Sequence, residues 1–98
     1  MPDPLQCRLM AAYNRWMNGK LYGLCETLSD EERKRDLGAF FRSVHGTLNH
    51  LLWGDLLWMS RFDGGPKPAT KIDEVIHDDF AALAREREAT DARIVTWA

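Results

Sequence analysis

Two imidazoles, a carboxylate and two indoles lie within one mostly apolar run, Ser43-Val44-His45-Gly46-Thr47-Leu48-Asn49-His50-Leu51-Leu52-Trp53-Gly54-Asp55-Leu56-Leu57-Trp58. Titratable groups in apolar surroundings are costly unless they have a partner or a chemical task, so His45, His50 and Asp55 are the first candidates for chemistry. Imidazole is a good ligand for zinc, nickel and iron, and a carboxylate can hold a ligating ring in place. On a regular helix the step from His45 to His50 turns roughly 140°, so the two do not readily chelate one ion. From spacing alone, His50 reads as a structural, hydrogen-bonded histidine and His45 as a partly exposed one near a helix N-terminus. His77, beside Asp78 and Asp79, reads as part of a solvated helix start; the alternative is a second metal ligand, if the connector folds back.

The elements that must position these groups are helical. After Pro4, the residues Leu5, Leu9, Met10, Tyr13, Trp16, Met17, Leu21, Leu24 and Leu28 recur at helical spacing, opposite Arg8, Arg15 and Glu26, which predicts an amphipathic helix of about six turns. Asn14 and Asn18 sit one turn apart near its apolar boundary and read as solvated surface, with a pocket mouth as the alternative. Ser29-Asp30-Glu31-Glu32 has the form of a capping box, so the first helix stops near Leu28 and a short turn or helix begins at Ser29. Leu37-Gly38-Ala39-Phe40-Phe41 reads as a buried connector.

The second helix is predicted from Ser43, whose hydroxyl can cap it, to about Phe62, before Asp63-Gly64-Gly65-Pro66-Lys67-Pro68 breaks it. Val44, Leu48, Leu51, Leu52, Met59 and Phe62 form one stripe, and Trp53 and Leu57 lie on the far side. A helix apolar nearly all round is buried on more than one side, and in so small a chain the second surface is expected to meet another subunit. The third helix is clear from Phe80, with Leu83, Arg87, Ile94 and Trp97 on one stripe and either Thr70 or Asp78 as its cap. A connector from Asp63 to His77, about 15 residues at roughly 3.3 Å each, could cross the length of a helix and permit a parallel second and third helix. A start at Thr70 would instead give an antiparallel hairpin. Asp55 and Arg87 fall on facing stripes and are expected to pair; the alternative for Asp55 is to support a metal ligand. Trp16, Trp53, Trp58 and Trp97 are expected to supply core and interface area.

The 98 residues suffice for a single domain, residues 1–98, with one modest core. A net charge of -2, with the basic cluster Arg33-Lys34-Arg35 flanked by acids, argues against a nucleic-acid partner. No stretch approaches the roughly 20 apolar residues of a membrane span, and Met1-Pro2-Asp3-Pro4 lacks the order of a signal peptide, so a cytoplasmic location is expected. Cys7 and Cys25, roughly 27 Å apart if on one straight helix, read as reduced. Thr96-Trp97-Ala98 continues the apolar stripe without a closing glycine, proline or basic turn, as in a fragment or a naturally short form.

With these elements laid out, the chain resembles the DinB-like family of small helical metalloproteins. The resemblance rests on Tyr13-Asn14-Arg15-Trp16-Met17-Asn18, on Leu28-Ser29, and on Ser43-Val44-His45-Gly46-Thr47-Leu48-Asn49-His50-Leu51-Leu52 with Asp55 and Trp58. Phe80, Leu83, Arg87 and Asp91 match more loosely. It covers nearly the whole chain, and its second-helix element is fairly specific. It implies a four-helix bundle with up-down-down-up topology that binds a divalent metal through one histidine of the second helix and a His-x-x-x-His pair on a later helix. By that resemblance His50 is the first ligand. The other two have no counterpart, since only His45, His50 and His77 occur and none are so spaced.

The resulting expectation is an all-α protein, the first three long helices of a DinB-like bundle, completed by homodimerisation. One functional reading is a divalent-metal-dependent enzyme, of thiol-transferase or hydrolase type, acting on a small molecule through zinc, nickel or iron, with an incomplete metal site here. The other is a non-catalytic dimerisation or interaction module that holds no metal. No residue stands out as catalytic acid or base.

Overall fold

The computed structural model of the chain describes residues 3–38, 41–71 and 74–98. Four helices follow in order: α1 (Pro4–Glu26), α2 (Asp30–Lys34), α3 (Val44–Asp63) and α4 (Phe80–Trp97). Their starts follow from side chains that satisfy free N–H groups. Asp3 and Gln6 cap α1 reciprocally, Ser29 and Glu32 do the same for α2, and Ser43 accepts from the Gly46 N–H to start α3. The cap of α4 is Asp79, which accepts from the Ala82 N–H, and not Thr70 or Asp78. Asp78 instead reaches Lys34 of α2 at 3.3 Å, and the Thr70 carbonyl accepts from the Trp53 indole. At its other end α3 closes on Gly64, in the left-handed region at φ 74°, which glycine enters without a Cβ clash.

The long connector after Asp63 makes α3 and α4 parallel. Going along both helices in the same direction, the His77 segment meets Asn49, Arg87 meets Asp55, and Arg93 meets Asp63. Phe62 and Trp97 then stack at 4.8 Å between centroids. α1 runs the other way, with Asn18 near its middle bonded to Asp91 and Tyr22 near its end against Phe80. The order is up, down, down, as expected for the first three long helices of the bundle.

The packing of α1 departs from its amphipathic pattern. An amphipathic helix ordinarily buries its apolar stripe. Here the buried residues of α1 are Ala11, Tyr22 and Cys25, with Asn14 and Asn18 half-buried between them. Leu9, Met10, Tyr13, Trp16 and Leu24, roughly on the opposite side, are all more than half exposed. The small and polar seam fits against α4 because the buried Asp91 carboxylate of α4 takes hydrogen bonds from Asn14 and Asn18 there. The core itself is compact: Tyr22, Cys25, Leu48, Leu52 and Leu83 meet, with Val44, Leu56, Ile76, Phe80 and Ala84 against them.

Of the segment expected as a buried connector, no described residue is buried. Leu37 is exposed, Ala39 and Phe40 lie outside the described residues, and Phe41 is half-buried. The Leu37 N–H donates to the Arg42 carbonyl at 2.6 Å, and Gly38 and Arg42 both have positive φ. That bond brings residues 37 and 42 together, with Leu37 at the surface.

Candidate functional site

Three polar clusters hang on this frame, and the histidines divide between two of them. The first is the expected ion pair, enlarged. Arg87, 3% exposed, donates from Nη2 to Asp55 Oδ2 at 2.5 Å and from Nε and Nη2 to Asp91 Oδ1 at 3.0 and 2.7 Å. Asp91 is equally buried and also accepts from Asn18 Nδ2 at 3.0 Å and Asn14 Nδ2 at 3.4 Å. Asn14 and Asn18 are therefore partners of a buried carboxylate, not solvated surface. Burial pushes the Asp91 carboxyl up from its ordinary range, against the pull of Arg87. The same burial pushes the Tyr22 phenol up to about 12, and its hydroxyl has no hydrogen-bond partner. Asp91 was legible as an i,i+4 partner of Arg87 on one helix face.

The second cluster is His50. Its ring stacks on Phe41 at 3.8 Å between centroids and lies 6.5 Å from Trp53. Its Nδ1 is buried without a hydrogen-bond partner, so the structure gives this nitrogen nothing to donate to or accept from. Phe41 reaches the ring because residue 46 is glycine: a Cβ there would collide with the Phe41 carbonyl oxygen. Asp55 does not support this ring; its carboxylate is taken by Arg87.

The third cluster joins His45 and His77. His45 is not partly exposed but 3% exposed, because the connector lies across it. Its Nε2 is 2.9 Å from the His77 carbonyl, a geometry in which Nε2 must carry the proton and donate. Burial lowers the His45 pKa from the ordinary 6.5. Asn49, one turn on, accepts the backbone N–H groups of both Ile76 and His77 at 2.9 Å and donates to the His45 carbonyl. The His77 ring pairs with Glu86 of α4 at 2.6 Å. His77 is thus part of a stitched connector, not a freely solvated helix start. Asn49 escaped the reading of the sequence; a fully polar amide inside an apolar stripe was its only signal.

The three histidines do not converge. Among the described residues, no three His, Cys, Asp or Glu side chains gather as a metal site. Cys7 and Cys25 are free thiols, and burial pushes that of Cys25 up, the opposite of what a reactive thiolate needs. Among the described residues, no helix is long and apolar enough to cross a membrane.

An up-down-down set of long helices, with a polar seam between the outer two and an aromatic-stacked histidine on the second turn of α3, defines a DinB-type helical bundle. The model of the DinB family matches residues 1–98, and the chain belongs to that family. No curated protein and no solved structure matches the chain.

Proposed function

We propose that this chain works as a helical assembly unit of the DinB type, in which the outer face of α1 packs against the same face of a second copy. The observation that supports this reading is the inverted packing of α1. The chain exposes 6708 Å² at a mass of 11.3 kDa, against about 5,700 Å² for a typical folded monomer of that mass. The excess, about 1,000 Å², is close to the ~800 Å² each partner contributes to a stable interface. Leu9, Met10, Tyr13, Trp16 and Met17 form a continuous apolar groove on that face. Lys20, beside this groove, holds its ammonium over the Trp16 ring at 4.1 Å. A two-fold arrangement makes one such face self-complementary.

Equilibrium sedimentation tests this. Twice the 11.3 kDa chain mass is expected for the native protein, and a monomer of unchanged helicity for Met10→Lys with Trp16→Lys. A native monomer, or a dimer that survives both substitutions, overturns the reading.

A second reading, divalent-metal chemistry on a small nucleophile, is favoured by the buried, unpartnered Nδ1 of His50. The described residues do not fit a complete site, because His50 is a single donor. In this reading zinc, nickel or iron takes His50 as one ligand and the others come from outside the described residues. Elemental analysis of the purified protein separates the two. Stoichiometric metal that disappears in His50→Ala carries the second reading, and metal-free dimer removes it for this chain.

A further inference from the structure

The connector between Gly64 and Asp79 is what allows α3 and α4 to run parallel, and it is fastened at its far end by α3 side chains. His45 binds the His77 carbonyl, and Asn49 binds the Ile76 and His77 N–H groups. Fastening there seats Ile76 on the core formed by Tyr22, Leu48, Leu52 and Leu83. One atom of this arrangement is unsatisfied: Nδ1 of His45 is buried without a partner. With Nε2 donating, Nδ1 carries an unpartnered lone pair. A proton added there would be a buried donor without an acceptor.

We propose that His45 is an acid-sensitive latch, closed while its imidazole is neutral and loosened when Nδ1 takes a proton, so that residues 76–77 lift from α3 and uncover that end of the core. The charged groups around it do not rescue the protonated ring. From α2, Lys34 opposes the added charge, and Asp30, which would favour it, is already paired with Lys34 at 3.1 Å. From the connector, Asp78 is likewise held by Lys34, at 3.3 Å. From α4, Glu86 is engaged by the His77 ring. The direction follows by linkage: the released imidazole takes a proton near the ordinary 6.5, and the seated one resists it because burial lowers its pKa. The closed state therefore has its full stability above 6.5 and loses it as pH falls from there toward the lowered value.

Amide hydrogen exchange of the whole chain, corrected for the intrinsic effect of pH, tests the latch. Protection at the Ile76 and His77 amides is expected to fall, by at most about tenfold per pH unit, from about pH 6.5 down toward the lowered His45 pKa, while mid-helix amides of α4 hold theirs. In His45→Gln the side-chain amide can still donate to the His77 carbonyl but cannot titrate, so protection there is expected to be flat. An equal fall in His45→Gln, or none in the native chain, overturns the proposal. The ring nitrogen shifts of His45 in the native protein give a test that needs no variant. The Nε2–H tautomer at neutral pH is expected, and the Nδ1–H tautomer would exclude the latch.

Discussion

Arg87 is the single side chain on which most of the buried polarity depends. It faces two carboxylates, one of which, Asp91, is 3% exposed and shares no water-facing surface to fall back on. Removing one member of such a network leaves an uncompensated buried charge, so Arg87→Met is expected to lower the free energy of urea unfolding by about 3–5 kcal/mol. Asp55→Asn is expected to cost only about 1 kcal/mol, because the Asp55 side chain is 38% exposed and water screens its loss. Tyr22 behaves differently, since its hydroxyl is buried and unbonded. The unfolded phenol ionises near 10 and the folded one near 12, so folding stability is full below 10 and falls as pH rises through about 12. Tyr22→Phe is expected to leave neutral stability almost unchanged and to lessen this alkaline loss, read from unfolding midpoints measured across that range. Asp55 and Arg87 were legible as a pair because both interrupt apolar stripes. Asn14 and Asn18 were not, because a periodicity that scores apolar residues treats a polar seam as surface.

Gly46 shows what an element requires that its residue propensities oppose. Glycine inside a helix normally costs about 1 kcal/mol against alanine, so Gly46→Ala would ordinarily stabilise α3. Here the added Cβ would meet the Phe41 carbonyl, which is fixed by the Ser43 N–H at 2.8 Å. The expected result is net destabilisation of about 1–3 kcal/mol in thermal or urea unfolding, with displaced His50 ring proton resonances as Phe41 shifts. The two ends of α3 were readable in advance from Ser43 and the Asp63-Gly64 break. α4 was clear from Phe80, where it does begin, but its cap was left between Thr70 and Asp78; the cap is Asp79, and Asp78 is occupied by Lys34. α1 was read correctly as a helix and incorrectly as to its inner face. Its apolar stripe has the stronger periodicity, but the seam partner is the polar Asp91 of α4.

For the molecule as a whole, the proposed pairing of the outer faces of α1 has a thermodynamic consequence. If the outer face of α1 is buried between two copies, folding and association share one equilibrium, and the midpoint of thermal unfolding rises with protein concentration. Calorimetry over a hundredfold concentration range is expected to show a shift of several degrees in the native chain and none in Met10→Lys with Trp16→Lys. Trp58, Phe62 and Trp97 stack at the C-terminal ends of α3 and α4 as a second exposed apolar surface, each residue about half exposed.

Local rules were enough to read the all-α class, the capping boxes, the glycine stop of α3, the Asp55–Arg87 pair and the family, because each depends on residues near in sequence or on a short motif. Which way α3 and α4 run, which face of α1 is inside and which histidines meet depended on the path of the connector between Gly64 and Asp79. That path is held by bonds from Asn49 to residues 76 and 77, and α1 is turned by the bond from Asn18 to Asp91, across separations that no helical period can register. His50 lies stacked on Phe41, apart from the other two imidazoles, while His45 and His77, which spacing treated as separate, became two ends of one fastening.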